Sequence, residues 1–246
     1  MKLGKGSVKH DVRTLLFADY ATTLPTPPAN YSWDEKIKKW GMMLNDSIGD
    51  CTIATAGHLV MAWSASQKKL TVIPDTEIVK AYSAITGYDP KTGLNDNGAV
   101  ELDVLNYWRK NGIGNHKILA FTALEPKNHD HIKQGIYLFG GCYIGVSLPL
   151  SAQTQRVWSV PPTGATGRGA AGSWGGHAIP VISYDSNGLT VVTWGKLKRM
   201  TWAFLDAYCD ESYCIISNDF VTDKVKAANG FDFTALQEDL KSISHK

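Results

Sequence analysis

Two side chains set far apart in this chain could together act on a carbonyl carbon: the thiol of Cys51 and the imidazole of His177. A thiol attacks as thiolate, and the first turn of a helix lowers its pKa because unpaired N–H groups and the macrodipole favour negative charge there. Cys51 follows a turn-rich stretch, Asn45-Asp46-Ser47-Ile48-Gly49-Asp50, and opens a run to residue 63 that is small or apolar all round at helical spacing. That pattern predicts a buried helix with Cys51 in its first turn. Acyl chemistry also needs a base that returns as an acid, a task for histidine. His177 follows a loop, 164–176, with six glycines in thirteen residues, and Gly175-Gly176 keep bulk away from the ring as it opens a strand.

The remaining candidates carry less. Asn128-His129-Asp130-His131 has a histidine spacing seen in metal sites, but no third ligand clusters with it, and Asn and Asp favour a helix cap. No metal is expected. His58 lies two turns, ~10 Å, beyond Cys51 on the same helix, too far to be its base, and reads as a satisfied core histidine. Cys142 sits in an apolar strand, while Cys209 and Cys214 flank Asp210-Glu211-Ser212-Tyr213 and read as reduced residues near a turn. The stretch Gly93-Leu94-Asn95-Asp96-Asn97-Gly98 lacks the alternating carboxylates and terminal Glu of a calcium loop and reads as a plain turn.

A frame is needed to bring residues 51 and 177 together, and the composition supplies one. The chain has 246 residues, 43% hydrophobic and 20% charged, which is ample for a folded core. Its 25 Lys and Arg against 23 Asp and Glu leave a net charge of +2, which gives no case for a nucleic-acid or membrane partner. Lys36-Ile37-Lys38-Lys39 and Lys196-Leu197-Lys198-Arg199 read as solvated faces. The most apolar stretch, 135–150, is interrupted by Ser147 and Pro149 and is too short to span a bilayer. Residues 1–10 are basic with no apolar run behind them, so no secretory signal is expected; a cytoplasmic location is the default, with secretion after processing left open.

Residues 24–30, rich in proline, form an extended strap. Helices are predicted over 75–86, over 100–111 closing on Gly112, and over 128–138. Strands are predicted over 118–121, 142–148, 177–184 and 189–194, the last two joined by the turn Asp185-Ser186-Asn187-Gly188. Helices first and strands second give an α+β fold. The tail after Asn218, with Phe231-Asp232-Phe233 and an amphipathic pattern over 234–243, is expected to pack outside the globule or to mediate association.

Several of these pieces stand in a telling order. The Asn45-to-Cys51 helix start is followed by a helix ending Asn111-Gly112-Ile113, then by Ile132-Lys133-Gln134-Gly135-Ile136 and Tyr143-Ile144-Gly145-Val146. Gly175-Gly176-His177-Ala178 comes next, with Trp194-Gly195 ending the following strand. Cys51 precedes His177 by 126 residues, close to the ~130 of papain-type enzymes. From the proline strap to about Asn218 the chain resembles the papain-like cysteine peptidase family, in a divergent bacterial or phage form.

The resemblance implies a single papain-like α+β domain: a helical lobe over about 30–115, an antiparallel β-rich lobe over about 116–218 with the active-site cleft between them, and a C-terminal extension over about 219–246. It implies that Cys51 attacks and His177 shuttles the proton. The oxyanion would be held by the Cys51 N–H and the amide of Asn45, which stands where the family commonly has glutamine. Trp194 would shield the histidine. Apart from the resemblance, the glycine-rich loop 164–176, with Arg168 and Trp174, is expected to form one cleft wall. One departure bears on activity: Val192 stands where the family places the asparagine that orients the histidine. Thr193 is one residue along, but a one-residue slip turns a strand side chain to the other face.

The implied function is a thiol-dependent, peptidase-like hydrolase cleaving a peptide, amide or ester bond through an acyl-cysteine, with no cofactor and a peptide or acyl substrate as partner. Two alternatives stay open: a papain-fold binding or structural module, which Val192 favours, and an acyl transferase using the same dyad. Oligomeric state is not legible.

Overall fold

The computed structural model describes residues 1–21, 24–222 and 226–227. In chain order the elements are β1 (Leu15–Leu16), α1 (Ala18–Ala21), β2 (Tyr31–Ser32), α2 (Cys51–Ser66), α3 (Asp75–Thr86), α4 (Glu101–Asn111), β3 (Ile118–Ala123), α5 (His129–Phe139), β4 (Cys142–Leu148), β5 (Gly175–Asp185), β6 (Gly188–Thr193), β7 (Lys196–Thr201), α6 (Trp202–Tyr208), β8 (Cys209–Ser217), β9 (Val221–Thr222) and β10 (Lys226–Ala227). Eight strands make one sheet in the order β1-β3-β8-β4-β5-β6-β7, with β2 laid on β5. The β1–β3 pair is parallel; the other pairs in this sheet are antiparallel.

The helix predicted to be apolar on every side is buried on every side. From Cys51 to Ala65 each residue of α2 is inside, because α2 lies against β5 and against α3 and α4. Small residues make this possible; Gly57 leaves room for Met43 Sδ and the Ile78 side chain. Trp63 then fastens the layers. Its ring stacks on Trp108 of α4 at 5.7 Å, and its Nε1–H donates to the Phe139 carbonyl at the end of α5 at 3.0 Å. Burying each such ring stabilises the fold by about 2–3 kcal/mol.

One stretch keeps its solvated reading and gains a place in the sheet, and another reads differently from the prediction. Lys196-Leu197-Lys198-Arg199 belongs to β7, at one end of the sheet, where lysines on an edge strand discourage pairing with another chain. Cys209 and Cys214 do not flank a turn; they lie on β8, inside the sheet between β3 and β4, and all four cysteines are free and buried. The two-histidine stretch is a helix start, with the Asn128 side chain accepting from the His131 N–H at 3.2 Å. Phe231-Asp232-Phe233 and the pattern over 234–243 lie outside the described residues. Among those described, no helix is long and apolar enough to cross a membrane.

Candidate active site

The docking of α2 on β5 sets the first residue of the helix beside the start of the strand. The backbone N–H of Ala178 reaches Cys51 Sγ at 3.4 Å. His177, one residue earlier, pairs with Val146 of β4 and is 1% exposed, as is Cys51. Cys51, His177, Asn45, Thr193 and Trp194 all line one small cavity.

His177 Nε2 lies 2.8 Å from Thr193 Oγ1, while Nδ1 is buried with no hydrogen-bond partner. Thr193 therefore reaches the ring although Val192 occupies the expected position. Val181 pairs with Val191 but Ser183 with Thr190, so β5 carries one extra residue there, and this one-residue shift of register puts Thr193 rather than Val192 on the face of the sheet that His177 shares. Trp194 stacks on His177 at 4.5 Å and 13° between planes. It holds a positive φ of 46°, a conformation that costs a side chain about 1–3 kcal/mol and gathers at functional sites. Trp174 of the glycine-rich loop packs on Trp194 at 5.4 Å, while Arg168 is exposed.

The expectation of a thiol lowered by the helix start is overturned by burial, which pushes Cys51 up to about 12; the N–H groups of Ala178 and Gly4 pull the other way. Burial likewise lowers His177 to about 3. Both groups are thus neutral at ordinary pH, and no ion pair forms between them in this state. Burial raises the Asp50 carboxyl, just before Cys51, to about 8, against the opposing pull of the Asn45 amide. Asn45 Nδ2 also donates to the Ile48 carbonyl at 3.4 Å. His58 lines the same cavity, but its Nε2 is tied to the Gly41 carbonyl at 3.1 Å and burial lowers it to about 4.

What sequence reasoning missed is the reason for the burial. Residues 2–6 run through the cleft as an extended segment. Lys2 N–H donates to the Asn45 carbonyl at 3.0 Å and Trp194 Nε1–H to the Lys2 carbonyl at 3.0 Å. Gly4 accepts from the Ala99 N–H at 2.8 Å, Lys5 N–H donates to the Gly176 carbonyl at 3.2 Å, and Gly6 N–H to the Ala99 carbonyl at 2.8 Å. Gly4 fits only because it lacks a side chain, since a Cβ there would collide with the Gly49 carbonyl. The Gly4-Lys5-Gly6 triplet, a cation between two residues of no bulk, is the mark in the sequence that could have drawn notice to this segment.

No protein-family model and no curated protein sequence matches the chain. Solved structures do. Xylellain, a cysteine protease from Xylella fastidiosa, superposes with a TM-score of 0.64 at 15% identity, covering 87% of this chain and 95% of that one. ProCathepsin B S9 from Trypanosoma congolense gives 0.64 at 10% identity over 88% of this chain and 87% of its own. Digestive procathepsin L 3 of Tenebrio molitor larval midgut gives 0.61 at 10% identity over 87% and 75%. The fold is that of the papain-like cysteine proteases.

Proposed function

We propose that the chain is a thiol-dependent hydrolase of peptide or amide bonds, with Cys51 as nucleophile and His177 as proton shuttle, resting in a covered state. The observation that carries this reading is the meeting of Cys51 and His177 at one cavity, with the ring fixed by Thr193 at 2.8 Å and capped by Trp194. With its proton on Nε2, donated to Thr193 Oγ1, the ring leaves the Nδ1 lone pair free to take the thiol proton. Sulfur then bonds to the carbonyl carbon, and the imidazolium returns the proton to the departing amine. Water attacks the acyl-cysteine with the ring again as base, releasing a carboxylic acid and restoring the thiol.

Removal of residues 2–6 from the cleft is the step that makes this chemistry possible, because it takes away the burial that holds both groups neutral. A rival reading, a papain fold that binds without catalysis, is favoured by the same complete burial of thiol and ring. The two separate on fluorogenic peptidyl amides presented to the full chain and to a Gly4→Val form whose segment cannot seat. Turnover abolished by Cys51→Ala and by His177→Ala is the expected result. Failure of both proteins to turn over any peptide in a mixed library rejects the hydrolase.

A further inference from the structure

Beside the thiol lies a pocket whose contents are unusual for a protein interior. Lys5, the neighbour of the glycine whose N–H faces Cys51 Sγ, sends its side chain inward until it is 2% exposed. Its Nζ meets Glu211 Oε1 at 2.9 Å and Asp210 Oδ1 at 3.1 Å, and also donates to the Gly6 carbonyl at 3.2 Å. Glu101, the first residue of α4, is fully buried with neither carboxylate oxygen hydrogen-bonded. Gly145 of β4 makes the space. A Cβ there would collide with Lys5 Cε and stand 2.7 Å from Glu101 Oε1 and 2.8 Å from Asp210 Oδ1.

The rest of the wall holds these acids in place. Tyr213 OH donates to Glu211 Oε2 at 3.0 Å and Ser147 OH to Asp210 Oδ2 at 2.7 Å. Carboxylates from α4 and β8 thus converge over Gly145 of β4 around Lys5, the residue next to Gly4. Glu101 and Glu211 are buried, and burial raises both; buried acids this close either hold protons or need a cation beside them to carry charge. The cation present, Lys5, belongs to a segment that must leave for the proposed chemistry to proceed.

Building on the proposed hydrolase, we infer that the pocket of Glu101, Asp210 and Glu211 over Gly145 is the side-chain subsite that selects lysine or arginine in a peptide substrate, with Lys5 as its occupant at rest. A cation of the right length restores the pairing that departure of Lys5 breaks; an apolar residue of the same length leaves three acids unpartnered. A site built to pair a polar group rejects the analogue that lacks it far more strongly than a hydrophobic pocket rejects a missing methylene.

The test uses the full chain, its Gly4→Val form and fluorogenic peptidyl amides in which lysine, or norleucine with the same four side-chain carbons and no amine, is moved through the three positions before the cleaved bond. At one position kcat/KM should favour lysine by at least about 10²-fold, and Glu211→Gln and Glu101→Gln should each shrink that ratio; damage that is merely structural lowers both substrates alike. Equal turnover of the two at every position, or a ratio untouched by both substitutions, overturns the subsite while leaving the hydrolase standing. A second arm reads no catalysis. Melting of full-length Lys5→Ala is followed with n-propylammonium, which replaces the deleted atoms, and with n-propanol. A rise of several degrees with the ammonium ion alone is expected, and no difference between them overturns the cation pocket. If neither the full chain nor its Gly4→Val form turns over either peptide, the hydrolase and the substrate role fail together, and the melting arm still decides whether the pocket takes a cation.

Discussion

At the residue scale the matter turns on how His177 is held. A hydroxyl both donates and accepts, so Thr193 can partner Nε2 whether the ring is neutral or protonated; Val192 could do neither. The Thr193→Val substitution keeps shape and removes the bond read at 2.8 Å. It should leave a buried ring nitrogen without a partner, at a cost of about 1–3 kcal/mol in urea unfolding. Turnover of a peptidyl amide should fall by about 10²-fold in kcat with KM little changed, and Thr193→Ser should recover most of it. A kcat within twofold of the parent would remove Thr193 from any positioning role. Cys51, His177 and Trp194 were legible from residue type and order, but Thr193 was not. The one-residue rule assumes an unbroken register, and here the extra residue on β5 between Val181 and Ser183, which no reading of β6 alone could reveal, supplies the slip.

At the element scale the helices and strands with a clean period could be read directly, α3 and β4 to the residue, because one face or all faces of each are buried. The pattern failed at β8, where Asp210 and Glu211 interrupt an apolar run. Their partner is Lys5, about two hundred residues away, and no local window contains it. The same distance hides the segment 2–6, which has no periodicity of its own and is held by backbone bonds to Asn45, Ala99 and Gly176. That segment also governs the thiol. A Gly4→Val side chain would strike the Gly49 backbone, so the segment should lift while the sheet and α2 stay folded. Water reaching Cys51 should lower its pKa from about 12, each unit multiplying the thiolate fraction about tenfold. Alkylation of Cys51 by iodoacetamide at pH 7 should therefore quicken by at least about tenfold, with unchanged far-ultraviolet circular dichroism. An unchanged alkylation rate would mean that the segment does not govern access to the sulfur.

At the scale of the whole molecule, burying ionisable groups around the site makes stability depend on pH in two opposed ways. His58 and His177 are lowered by burial to about 4 and about 3 from an ordinary 6.5. Their contribution is present above pH 6.5 and is lost as pH falls toward those lower values, because the unfolded chain takes up the protons first. Asp50 works in the other direction. Its carboxyl rises from 3.8 to about 8, chiefly through burial, so its contribution is complete below 3.8 and is lost as pH climbs to about 8. Between pH 6.5 and 8 the unfolded histidines shed the rest of their protons equally in the parent and in Asp50→Asn, so the difference between the two isolates the acid. The parent should lose stability relative to Asp50→Asn by on the order of 1 kcal/mol per pH unit across that interval, read from urea midpoints at pH 6.5, 7.2 and 8.0. Well below pH 3.8 the two should differ little in slope, since Asp50 is then protonated in the folded and the unfolded chain alike. Parallel stability curves across the upper interval would mean that Asp50 is ionised in the folded protein. A charge would then sit beside Cys51 at the start of α2, opposing thiolate formation where the helix start alone would favour it.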